Sequence, residues 1–333
     1  MDRRRRALLL LGLGAAAALG AGWWLRRARS AERSRARLAA SLPVFYSEDY
    51  VGAATAFDTT RKARWVAESL LAEPIPGLRI SPNAPVSVAE LERVHDPAYV
   101  SAVRTGEPRA LAESNGFAWD PELWTMVRAS NGGAVAAARA ALRSGCAGAL
   151  ASGLHHARRG HGAGFCTFNG LALAALAAFD AGARRVLVFD LDAHCGGGTH
   201  ELLGRNPAVR ILDIAVDAFD RYEPAPGNTL DLVERAGDYL STLQSRLGGL
   251  ADEAFDLCLY NAGMDAHEHS PVGGLAGIDA NLLARREAMV FDWCRARGLP
   301  VAFVLAGGYI GPGLDQDGLV ALHRLTLHAA AGG

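Results

Sequence analysis

The sequence predicts an α/β fold: three layers, α/β/α, around a mostly parallel central sheet. Three observations predict it. Short apolar runs alternate with longer helical stretches along most of the chain. Several runs are continuously apolar, the pattern of strands buried on both faces. Strand–helix alternation of this kind builds a parallel sheet covered on both sides. The strand candidates are 44–46, 148–151, 186–189, 209–216, 257–260 and 301–305. The helix candidates are 61–72, 121–142, 171–181, 230–247, 279–297 and 315–329. Pro121 suits a first helical position behind Asp120 as cap. No internal repeat and no second domain boundary interrupts the region after residue 41.

The chain has 333 residues, with 34 Lys+Arg against 35 Asp+Glu. That balance gives no global field to draw nucleic acid, so direct nucleic-acid binding is not expected. Five scattered cysteines without a CxxC pair exclude a disulfide framework and a zinc ribbon. The first forty residues differ from the rest. Arg3 to Arg6 precede an uncharged apolar run, 7–25, and Arg26 and Arg27 follow it. Nineteen residues at about 1.5 Å each nearly span a bilayer. The expected organisation is therefore a hydrophobic anchor or signal segment at 1–25, a charged linker at 26–41 and a globular domain at 42–333. Arginines directly after the run favour a retained membrane anchor over a cleaved signal. The arginine distribution weakly favours a domain on the cytoplasmic side, with an exported form still open.

In open α/β sheets, ligands bind beyond the carboxyl ends of the strands. Four of the runs are followed by chemistry-bearing residues: Ser152-Gly153-Leu154-His155-His156, Asp190-Leu191-Asp192-Ala193-His194, Asn261-Ala262-Gly263-Met264-Asp265 and Ala306-Gly307-Gly308-Tyr309. Asp192 and His194 can reach one ion from one strand end, and Asp265 adds a carboxylate from another. Three protein ligands with one open position for water is the pattern of a catalytic zinc. His155 and His156 titrate near neutrality and suit proton transfer to and from a reacting water and amine. Asp190 should face the same side as Asp192 and orient one histidine. Tyr309 follows two glycines that let backbone approach closely, and its phenol can donate to a developing oxyanion. Singly, each of these residues reads as a cap, a turn or packing; together they form a metal-and-base constellation.

Gly153-Leu154-His155-His156-Ala157, Gly164-Phe165-Cys166-Thr167-Phe168-Asn169, Asp190-Leu191-Asp192-Ala193-His194, Gly263-Met264-Asp265-Ala266-His267 and Gly307-Gly308-Tyr309 resemble the ordered motifs of the zinc-dependent histone deacetylase family. That family includes acetoin-utilisation proteins and acetylpolyamine amidohydrolases and has an arginase/deacetylase-like fold. The resemblance runs from about Val44 to about Leu327 and includes Val94-His95-Asp96-Pro97-Ala98-Tyr99-Val100. It implies a zinc-dependent deacetylase acting on acetyl-lysine or a small acetylated amine. By the resemblance, Asp192, His194 and Asp265 hold zinc, and His155 and His156 carry protons, with Asp190 behind His155. Tyr309 polarises the carbonyl, and Gly164 and Phe165 line the channel. Asp190 and Asp192 also contribute to a structural potassium site.

The sequence departs from the family pattern at three places. Where the family has Asp or Asn five residues after its first metal Asp, this chain has Gly197, so His156 is expected to lack its side-chain partner. Ala215 stands where relatives often carry a serine near the potassium. Polyamine-preferring relatives carry an acid seven residues after the third metal ligand; that place is Val272, with Glu268 as the substitute if the loop folds differently. Two alternatives remain. A ureohydrolase of the same fold would use two manganese ions, but the carboxylate its second ion needs is replaced by Gly196. A catalytically inactive binding protein would keep the fold alone. A dinucleotide site is excluded because Cys195-Gly196-Gly197-Gly198 lacks GxGxxG spacing.

Overall fold

In the computed structural model, which describes residues 41–53 and 57–332, alternate residues of each central strand enter different apolar cores. Leu187 and Phe189 pack in one cluster and Val186 and Val188 in the other; Cys258 and Tyr260 are separated in the same way from Leu257 and Leu259. Side chains alternate across a sheet, so two cores mean two covered faces. The strands are β1 (Leu42–Phe45), β2 (Leu78–Ser81), β3 (Cys146–Ala149), β4 (Val186–Asp190), β5 (Val209–Ala215), β6 (Thr229–Leu232), β7 (Leu257–Ala262) and β8 (Val301–Leu305). They form one sheet in the order β2-β1-β3-β8-β7-β4-β5-β6. Every pairing is parallel.

Helices Pro121–Ser144 and Gly170–Asp180 cover one face. Helices Asp58–Ala72, Ala236–Gly249, Ala280–Arg297 and Gln316–Ala331 cover the other. The long first-face helix starts as its sequence requires: Pro121 opens it and the Asp120 carboxylate accepts from the Glu122 amide.

Both sheet edges differ from expectation. The stretch 230–247 is not one helix. Thr229–Leu232 is an edge strand paired with β5, and the helix begins at Ala236. Asp231 on that strand takes a 2.6 Å ion pair from Arg246 on the helix. β2 at the opposite edge was not expected at all. Edge strands are covered on one side only, so they lack the continuous apolar run that marks the centre.

The expected membrane attachment is corrected. Among the described residues no helix is long and apolar enough to cross a membrane. The run 7–25, on which the anchor, its side of the membrane and the linker at 26–41 rested, lies outside the described residues.

Behind the carboxyl edge of the sheet lies a buried ion pair. Arg286 and Glu287 are fully buried and 2.6 Å apart. The Arg286 guanidinium also donates to the carbonyls of Leu191, at 3.1 Å, and Gly263, at 2.7 Å, in the turns that leave β4 and β7. The Tyr260 hydroxyl donates to Glu287 at 2.6 Å. One cation thus ties together the two turns that carry Asp192 and Asp265. Arg286→Met should cost about 3–5 kcal/mol in urea unfolding, because it strands a buried carboxylate. Adding Glu287→Gln should recover most of that loss. A single-mutant cost below about 1 kcal/mol would contradict the clamp.

Candidate metal centre and active site

β3, β8, β7, β4 and β5 are neighbours in the sheet, so the loops leaving their carboxyl ends lie side by side. Asp192, His194 and Asp265 come together there, buried, each with a ligand atom within 4.8 Å of the others. Among the described residues no other such cluster of His, Cys, Asp or Glu occurs. His194 Nδ1 lies 3.0 Å from Asp192 Oδ1 and 3.2 Å from Asp265 Oδ2. Backbone amides fix the carboxylates. Gly307 N donates to Asp192 Oδ2 at 2.7 Å, and Ala193 N donates to Asp265 Oδ1 at 3.0 Å. Asp265 Oδ2 is buried without a hydrogen bond of good geometry. Gly307 is required here, because a Cβ would stand 1.8 Å from that oxygen.

The electrostatics of the cluster call for a cation. Burial lowers the pKa of His194, but its contact with Asp192 and the nearby charge of Asp265 outweigh it and push the value up to about 11. Burial and the neighbouring Asp192 raise the carboxyl of Asp265. Two carboxylates, one imidazole and one orphaned buried oxygen fit a three-ligand divalent metal.

The two histidines stand beside this cluster. His155 Nδ1 is 2.8 Å from Asp190 Oδ2, and Asp190 is itself held by Asn261 at 2.7 Å. His156 Nδ1 is 2.9 Å from Asp220 Oδ2. Each Nδ1 therefore carries a hydrogen, and the 3.1 Å contact between the two Nε2 atoms is a hydrogen bond only when one ring holds a second proton. Burial opposes charge on His155, but Asp190 and Asp192 push its pKa up to about 10. Burial, then the charge on His155, push His156 down to about 4 against the pull of Asp220.

The expectation that His156 lacks a partner is thereby overturned. The acceptor comes from the loop after β5. A Cβ at Gly197 would lie 2.5 Å from both the carbonyl oxygen and Oδ1 of Asp220, so another segment already fills that space. Asp217-Ala218-Phe219-Asp220 follows a strand run, as the other four motif stretches do, and the same strand-end rule finds it.

A cleft of about 590 Å³ opens onto this floor, lined among others by His156, Gly164, Phe165, His194, Phe219 and Tyr309. Phe219, which the sequence reading missed, is 49% exposed and stands at right angles to His156, ring centres 5.0 Å apart. A Cβ at Gly164 would lie 2.4 Å from His156 Cδ2. Tyr309 is buried beside Phe57, 5.5 Å between ring centres. Burial and the charges of Asp265 and Asp192 raise its pKa, so the hydroxyl keeps its proton. Among the described residues the non-glycine positions with left-handed backbone are Leu154, Phe165 and Asp220, all at this site. His95 and Tyr99 lie behind it. His95 bonds the Arg158 carbonyl and the Asn169 amide, and Tyr99 donates to the Thr167 carbonyl, so the segment props the histidine loop.

A family model described as histone deacetylase domain matches residues 56–322. An uncharacterised protein of Picosynechococcus is 36% identical over 249 residues, covering 73% of this chain and 81% of its own length. Histone deacetylase 2 of Arabidopsis thaliana is 29% identical over 261 residues, 74% of this chain but only 65% of its own length. The solved HD domain of HDA15 superposes with a TM-score of 0.75 at 22% identity, covering 88% of each chain, which shows the shared fold. With a family model spanning most of the sequence and a metal-ligand cluster where its motifs converge, the chain belongs to the histone deacetylase family.

Proposed function

We propose that this protein is a zinc-dependent deacetylase that hydrolyses the amide of an acetylated amine, with 42–333 as its catalytic domain. The observation that carries the reading is the convergence of Asp192, His194 and Asp265 beside two carboxylate-held histidines and a protonated tyrosine in one cleft. Zinc held by those three residues would polarise the acyl carbonyl and acidify a water.

The remaining work falls to the chain's own groups. His156 faces the cleft and is kept neutral, which suits it to take a proton from water and return one to the leaving amine. His155, held by Asp190, is the charged neighbour that helps keep His156 neutral. The Tyr309 hydroxyl donates to the oxyanion as it forms. Phe165 and Phe219 flank the acyl-bearing chain and exclude water, and Gly164 leaves room for His156. A structural potassium near Asp190 and Asp192 belongs to the same reading. Ala215 offers it no hydroxyl, and the added carboxylate nearby, Asp213, accepts from Gly196 N at 2.8 Å and the Tyr222 hydroxyl at 3.0 Å.

The ureohydrolase alternative is weaker on geometry. A side chain at Gly196 would start 2.6 Å from Asp190 Oδ2, so there is no room for a further metal carboxylate. For the substrate, Val272 lines the cleft where an acid would hold a distal ammonium. Glu268 points elsewhere and accepts from the Gly277 amide at 3.0 Å. The cleft-lining acid, Asp217, accepts from Phe219 N at 2.7 Å. On Val272 the reading favours acetyl-lysine over acetylpolyamines; the carboxylate of Asp217, with one oxygen not engaged by Phe219 N, works the other way.

A panel of acetyl-lysine peptide, acetylspermidine and small acetamides tests both points. Turnover should vanish on chelation and return with zinc. No turnover on any substrate with zinc loaded would leave the inactive-protein alternative standing. A preference of about tenfold or more for acetylspermidine in kcat/KM, worth about 1.4 kcal/mol of discrimination, would overturn the substrate assignment. Separately, Tyr309→Phe should lower kcat by about 10² to 10³ with metal content unchanged, the usual effect of losing one oxyanion donor. Near-parental turnover would make the tyrosine a packing residue.

A further inference from the structure

The carboxylate that holds His156 reaches it from a different part of the chain than the family pattern places it. The geometry points to Asp220 as the positioning residue of His156, standing in for the side chain absent at Gly197; this rests on the deacetylase reading above. Both Asp220 oxygens are engaged. Oδ2 accepts from His156 Nδ1 at 2.9 Å and from the Gly198 amide at 3.3 Å. Oδ1 pairs with Arg158, whose other nitrogen holds Glu201 at 2.9 Å. The side chain of Asp220 is only 7% exposed. The imidazole is thus held through one nitrogen while its other nitrogen faces His155.

Two further features tie Asp220 to this task. Its φ is +59°, a left-handed backbone that Asp and Asn tolerate better than other side chains. Such strain persists where the surroundings over-determine it, and it gathers at working sites. The second feature is mutual exclusion. A Cβ at residue 197 would meet Asp220 at 2.5 Å, at its backbone carbonyl as well as its carboxylate. A glycine at 197 and an aspartate at 220 are therefore one arrangement, and restoring Asp at 197 would dislodge the carboxylate already in use. Gly197→Asp should weaken the enzyme.

The test uses the zinc-loaded protein and substitutions that accept the left-handed backbone. Asp220→Gly removes the carboxylate without backbone strain, and Asp220→Asn keeps an acceptor. Asp220→Gly should lower kcat by about tenfold or more, with KM, metal content and thermal melting near parental values, and Asp220→Asn should restore most of it. In a His156→Ala background the same change should cost less than about twofold, because a residue acting through another is non-additive with it. Histidine-ring ¹⁵N NMR should show a protonated His156 Nδ1 in the parent, lost in Asp220→Gly. Parental kcat in Asp220→Gly, a full further loss in the His156→Ala background, or an unchanged Nδ1 signal would each overturn the assignment. A parent inactive on every acetylated amine would instead remove the deacetylase reading, and the NMR signal alone then decides whether Asp220 positions His156.

Discussion

Two carboxylates, Asp192 and Asp265, are buried next to one another at the end of a parallel sheet, and much of the surrounding structure follows from that juxtaposition. Like charges in a dry site cannot both persist without a counter-charge. His194 stands between them, and in the absence of a metal it can answer the need only by taking a proton. A divalent ion answers it better, since it leaves the imidazole free to be a ligand. The glycines at 263 and 307 are part of the same constraint: a Cβ at either would strike the carboxylates or the backbone that bears them. Arg286, buried on the far side, keeps the two supporting turns at a fixed separation.

The proton machinery is a second answer to crowded charge. Two imidazoles meet at their Nε2 atoms and each is tied to its own carboxylate at Nδ1. One proton is shared where two would repel. Asymmetry in the surroundings then separates the partners: His155 faces Asp190 and Asp192, while His156 opens to the cleft beside Phe219. Groups whose environments drive their affinities for protons apart are what acid–base chemistry at neutral pH needs.

The central strands and the site were legible in the sequence for one reason: strands buried on both faces read as unbroken apolar runs, and their carboxyl ends announce the site. The strand-end rule places Asp190, Asp192, His194, His155, His156, Asp265 and Tyr309 at one edge of the sheet from the sequence alone. It failed at Thr229–Leu232 and Leu78–Ser81, half-covered edge strands without such runs. It failed again at His156. Motif spacing links a role to a position along the chain, and Gly197 at the usual position read as a loss. Space has no such bookkeeping, and Asp220, arriving from the next strand's loop, occupies the same place. Phe219 escaped for the same reason.

The proposed chemistry needs one metal ion held by Asp192, His194 and Asp265. Crystals of the zinc-loaded protein, with diffraction recorded on either side of the zinc absorption edge, locate that ion directly. One anomalous peak among Asp192, His194 and Asp265, with no second metal beside Gly196, is the predicted result. Two peaks sharing the site, or a zinc peak bound elsewhere with these three residues bare, would contradict it.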